Sequence, residues 1–148
     1  MKETIAFEVR KPLREAFEVL TDLETLAALS EGKLAIEKVP DRPRRGKGAA
    51  VLLRAGAAAG DILCETVEWD PPNRCARRLG IKDLPTTLAL SFAEIPGGTR
   101  VTLDLELEPQ SMLYKMMLPA LALKVKADKD RLVAELQRRL AQDGTATA

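Results

Sequence analysis

The chain has 148 residues, 46% hydrophobic and 30% charged, with 23 Lys and Arg against 22 Asp and Glu, two cysteines and no histidine. A chain of this length buries about 70% of the surface its unfolded form exposes, so one globular domain can stand without disulfides or metal. The missing histidine excludes His-based triads, His-ligated zinc and facial-triad iron. A net charge of +1, with only Phe7, Phe17, Trp69, Phe92 and Tyr114 as aromatics, gives duplex DNA no basic face and single strands no stacking platform, so no nucleic-acid partner is expected.

Residues 3–9 alternate, Ile5, Phe7 and Val9 against Thr4, Ala6 and Glu8, which predicts a half-buried strand. No apolar signal region opens the sequence, and no apolar run approaches the roughly 20 residues of a membrane span. A cytoplasmic protein without stable membrane insertion is expected. Pro12 suits a first helical position, and Leu13, Ala16, Phe17 and Leu20 recur at helical spacing, which predicts a helix over 12–20. Thr21 with Glu24 fits the capping box of a second short helix carrying Leu23, Leu26, Ala27 and Leu29, ended by Gly32.

From residue 33 the period falls to two, predicting an antiparallel meander with strands at 33–39, 49–55, 61–69, 74–79, 86–93 and 99–108. Asp70-Pro71-Pro72-Asn73 forces a turn, because proline pre-sets one dihedral and removes ladder donors. Pro96-Gly97-Gly98 turns the last hairpin, where Val101, Leu103, Leu105 and Leu107 alternate with Thr102, Asp104, Glu106 and Glu108. Over 111–142 the helical period returns, with an apolar stripe of Leu132, Val133, Leu136 and Leu140. Pro119 should kink this helix or delay its start. The whole reads as one domain over 1–142, followed by a flexible tail at 143–148.

The element order and its motifs resemble the SRPBCC superfamily of START-related lipid-transfer domains, pollen-allergen-like pocket proteins and polyketide cyclase/dehydrase-like proteins. The motifs are "KPLREAFEVLTDLE" after the first strand, "VEWDPPNR" at a strand-to-strand turn and "GGTRVTLDLEL" in the final hairpin, followed by the terminal helix. The resemblance implies an α+β helix-grip fold, a curved antiparallel sheet of about seven strands wrapped around a long C-terminal helix. Two short helices follow the first strand, and an apolar cavity lies between sheet and long helix. The superfamily includes binders, carriers and a minority of enzymes. Binding or transport of a hydrophobic small molecule is the leading expectation. A polyketide cyclase- or dehydratase-like enzyme and a protein-interaction module resembling chaperone activators are the alternatives. No cofactor and no metal are expected, and no protein partner is specified.

With Val67 and Trp69 taken as inward on the central strand, parity turns Leu63 and Glu65 inward too. Glu65 is then an acid facing an apolar cavity, which must find a partner or raise its pKa, and either outcome suits binding or proton transfer. The plainer reading is an exposed strand glutamate. Arg54 and Arg77 on the flanking strands are its candidate partners, or surface arginines in a charged rim. Trp69 offers a flat wall and an indole donor to a ring-shaped ligand, or else anchors the core. Leu53, Leu88 and Leu90 from other strands, with Leu26, Met112, Met116, Met117 and Ala120 from helices, complete the expected lining. The methionines suit a surface that repacks around variable apolar guests, or fill the core.

Cys64 and Cys75 fall out of register across their hairpin and have no histidine to activate them, so two buried structural thiols are expected. Arg42, Arg44, Arg45 and Lys47 form a basic cluster that either attracts an acidic partner or headgroup or is a solvated turn. "GGTR" has no following helix and reads as a hairpin, not a phosphate cradle. Nothing marks a catalytic carboxylate pair. No catalytic residue is assigned; Glu65 or a pocket arginine is the candidate for moving protons, with Trp69 positioning rings, and the reading leans to binding over catalysis.

Overall fold

In the computed structural model, which describes residues 1–22, 35–43, 45–54 and 61–147, period two becomes a single antiparallel sheet. Its strands are β1 (Lys2–Val9), β2 (Ala35–Lys38), β3 (Ala50–Arg54), β4 (Asp61–Asp70), β5 (Arg74–Leu79), β6 (Thr86–Ile95) and β7 (Gly98–Leu107). They lie in the order β1-β7-β6-β5-β4-β3-β2, so consecutive strands pair from β2 to β7 and β1 closes on β7. Among the described residues two helices accompany the sheet, α1 (Leu13–Leu20) and α2 (Met112–Thr147). This is the helix-grip architecture, a curved seven-stranded antiparallel sheet with a C-terminal helix.

Directly opposed residues share a face, so rows of side chains can be followed across the inner face. One row runs Ile5, Leu103, Leu90, Cys75, Trp69. The next runs Leu105, Leu88, Arg77, Thr66. A third runs Leu107, Thr86, Leu79, Cys64, Val51, Lys38. Helix α1 lays Ala16, Phe17 and Leu20 on the first of these, and Phe17 meets Phe92 and Trp69 edge-on at 5.2 and 5.1 Å. Val51, Leu53 and Cys64 form a separate, smaller cluster toward β2.

Several boundaries differ from the sequence reading. Pro12 is the N-cap and not the first helical residue: its ψ of 150° is extended, and only its carbonyl joins the helix, accepting from Ala16 N–H at 2.9 Å. Thr21 closes α1, its hydroxyl donating to the Phe17 carbonyl at 2.6 Å. The remainder of the expected second helix, with Leu26, lies outside the described residues. Helix α2 starts well before Pro119, which therefore sits inside it, and extends to Thr147.

At the last hairpin, a Cβ on Gly98 would sit 2.0 Å from the Val9 carbonyl oxygen, so only glycine lets the end of β1 approach β7. Helix α2 packs on α1 and β1: Val133 touches the main core, and Gln137 Nε2 donates to the Glu8 carbonyl at 3.0 Å.

Candidate functional site

The inner face is not filled along its length. Between the C-terminal end of α1, β2, the β2–β3 loop and the strands β3 to β5 lies a cavity of about 440 Å³. Small side chains make the room: Ala49, Val51 and Thr66 stand where the opposite end of the sheet carries phenylalanines. A second cavity of about 280 Å³ lies on the α1 side and shares Thr21, Arg45, Gly46 and Trp69 with the first. Gly46, at φ +87°, lies against the indole of Trp69. The loop is fastened to β4, where Gly48 N–H donates to the Thr66 carbonyl and Thr66 N–H to the Ala49 carbonyl, each at 2.8 Å.

A bulge in β4 decides which side chains reach this space. Thr66 faces Arg77 and Glu68 faces Ala76, so β4 advances two residues while β5 advances one, and Val67 has no opposite number. Parity flips there. Trp69 after the bulge and Cys64 and Thr66 before it share the inner face, whereas Leu63 and Glu65 turn to the outer one. The expected inward placement of Leu63 and Glu65 is thereby corrected. Leu63 is exposed, and Glu65 accepts from Arg42 Nη1 at 2.9 Å. Arg42 also donates to the Gly48 carbonyl at 3.1 Å, so this pair braces the cavity's rim.

Arg54 pairs with Glu37 and Asp61 on the exposed edge of the sheet, where such pairs contribute about 0–1 kcal/mol. Arg77 does the opposite of a rim arginine. It is 6% exposed and lines the cavity, with Nε donating to Thr66 Oγ1 at 3.3 Å and Nη2 to the Thr21 carbonyl. Its inward placement was available in the sequence, since Cys75, Arg77 and Leu79 alternate on one strand and the first and last are apolar. The basic cluster resolves into members with different places. Arg42 and Arg45, with Lys38 from β2, line the cavity, Lys47 is exposed, and Arg44 lies outside the described residues.

Of the expected lining, Trp69 borders the cavity. Leu90 belongs to the main core, Leu88 packs against it, Leu53 sits in the smaller cluster and Val67 occupies the bulge. On α2, Met112 and Met116 are 72% and 75% exposed, Met117 and Ala120 are exposed too, and none of them borders the cavity. The helix leans on α1 and β1 through its later turns, so among the described residues none of α2 lines the space. The cavity that the described residues enclose lies beside α1 and β2.

Cys64 and Cys75 are free and buried, as expected of structural thiols. Burial pushes the Cys64 thiol up to about 11 against a partial opposing pull from the Arg77 charge, and burial raises Cys75 as well. Neither is a thiolate near neutral pH, so neither supplies a nucleophile. Among the described residues no three Asp, Glu or Cys side chains converge as metal ligands, and no helix is long and apolar enough to cross a membrane.

A helix-grip sheet enclosing a partly apolar cavity defines a pocket protein of the SRPBCC type. The chain belongs to the polyketide cyclase/dehydrase and lipid transport family, whose model matches residues 3–141. It is similar in structure to TTHA0849 from Thermus thermophilus, at 22% identity over 97% of this chain and 99% of that one, with a TM-score of 0.72. It is also similar to SA2116 from Staphylococcus aureus, a protein of unknown function, at 11% identity over 98% and 96% of the two chains and a TM-score of 0.74. The Bet v1-like Ara h 8.0201 follows at 12% identity, 96% and 98% coverage and a TM-score of 0.70. At such identities the likeness is one of fold. No curated protein matches the sequence. Family and fold together support a ligand-binding SRPBCC domain.

Proposed function

We propose that the protein binds, and by binding carries, a hydrophobic small molecule in the cavity between α1, β2 and the inner face of β3 to β5, acting in the cytoplasm. The observation that carries this reading is the cavity itself. Its volume of about 440 Å³ falls within the range of about 300–1,000 Å³ usual for small-molecule sites. Ile36, Val39, Val51 and the Trp69 ring give it apolar walls, and a few polar groups sit at defined points among them. The family's description, which includes lipid transport, supports the same reading.

Trp69 is the sole tryptophan and lines the cavity, so its emission reports occupancy directly. Titration with the uncharged dye Nile red is expected to give saturable energy transfer from Trp69 at one dye per chain. Val51→Phe, which grows a ring into the space, should weaken dye binding by about tenfold or more, equivalent to about 1.4 kcal/mol. The reading fails if the dye does not saturate and native mass spectrometry of protein purified from its source finds no bound small molecule. It fails equally if Val51→Phe binds dye as the natural chain does.

A further inference from the structure

The cavity contains a buried charge that the described protein does not neutralise. A guanidinium stays protonated at any physiological pH, and a buried charge is costly unless it is paired and fully hydrogen-bonded. Arg77, 6% exposed, receives only neutral acceptors, Thr66 Oγ1 and the Thr21 carbonyl, and among the described residues no carboxylate forms an ion pair with it. Those two bonds engage Nε and Nη2. Nη1 has no acceptor among the described residues, and Arg77 lines the cavity. The potential in the cavity has the same sign. Lys38, Arg42, Arg45 and Arg77 line it against Asp22, and among the described residues only Arg42 of these cations is paired with a carboxylate, Glu65.

We infer that the natural ligand is an amphipathic acid: one carboxylate or similar oxyanion seated on Arg77, with an apolar body against Val51 and the Trp69 ring. This rests on the cavity being the binding site and specifies what chemistry it selects. An anion fits better than a neutral carbonyl because only an anion removes the uncompensated charge, and in a low-dielectric site that difference is large. The two bonds that Arg77 donates to Thr66 and Thr21 hold the guanidinium fork in place before the ligand arrives, so little rotamer entropy remains to be lost on binding. Lys38 and Arg45, both exposed at the cavity's edge, draw the acid in without gripping it.

The test compares dodecanoate with dodecanol, both read as displacement of Nile red. Dodecanoate is expected to bind about tenfold or more tightly than the alcohol, the margin of a charged hydrogen bond. That ratio should persist when NaCl rises from about 0.05 M to about 0.5 M, because a buried pair is screened far less than a surface one. In Arg77→Met it should fall to near one. Equal affinities in the natural chain, a ratio abolished by salt, or a ratio that survives in Arg77→Met would each overturn the assignment to Arg77. If Arg77→Met does not fold, as circular dichroism will tell, the salt series on the natural chain decides alone. Failure of Nile red to bind at all would sink the binding site itself, whereas Nile red binding without acid preference sinks only the oxyanion seat.

Discussion

One sheet supplies both ends of the inner face, yet the β1 end is packed solid and the β2 end is hollow. At the packed end Phe7, Phe17 and Phe92, all the phenylalanines of the chain, interlock with Val101 and Leu103 beneath α1. At the hollow end the corresponding surface carries Ala49, Val51 and Thr66, with Trp69 at the boundary between the two. Both ends share the same antiparallel pairing and alternating pattern, so strand geometry alone does not make the cavity. Side-chain volume does. The packed end holds the fold together, and the hollow end can then leave its apolar surface unfilled.

The comparison breaks most readily at Phe17, which is 2% exposed and touches both Phe92 and Trp69. Phe17→Ala is expected to cost about 3–5 kcal/mol, the usual range for deleting a buried ring. Urea unfolding followed by circular dichroism measures it. A cost under about 1 kcal/mol, typical of surface positions, would mean that the packed end is not the structural half.

Much of the fold is legible in the sequence, and the unread parts have physical causes. Val101, Leu103, Leu105 and Leu107 announced β7, because a half-buried strand leaves a period of two in its side chains. Arg77 was readable as inward from Cys75 and Leu79 on either side. Leu63 and Glu65 were misplaced because the bulge at Val67 inserts one residue without any glycine or proline to mark it, and a single insertion reverses every side chain beyond. The Arg42 to Glu65 pair joins a loop to a strand distant in sequence, which no local pattern records. Helical period gave α2 an apolar stripe but not the surface it leans on, and its methionines do not border the cavity.

A finer probe asks whether the hollow end is dry behind its cavity. Cys64 belongs to the small cluster there, 1% exposed, with its thiol pushed up to about 11 by burial. In the unfolded chain the thiol ionises first, near its ordinary value, while the native thiol stays neutral. Stability is therefore unaffected below about pH 8.5 and is lost as pH climbs toward 11, by about 2–3 kcal/mol from this group. Cys64→Ala should flatten that part of the fall in urea midpoints between about pH 8 and pH 10.5. An identical slope in variant and natural chain would mean that water reaches Cys64 and that the hollow end is open on both sides.

The smallest effect gives the most direct contrast, because the same one-methylene enlargement can be made at both ends. Val101 has no exposed surface and lies under Phe7 and Phe92 in the register, so Val101→Leu must displace neighbours already at contact distance. Overpacking of that kind costs about 1–3 kcal/mol. Val51 borders the cavity, so the added carbon of Val51→Leu enters empty space, gains about 0.8 kcal/mol of burial and strains nothing. The two variants should therefore move thermal midpoints in opposite directions, Val101→Leu downward and Val51→Leu level or slightly upward, with dodecanoate affinity reduced only in the second. If both fall alike, the hollow end is packed as tightly as the other and side-chain volume is not what opened it.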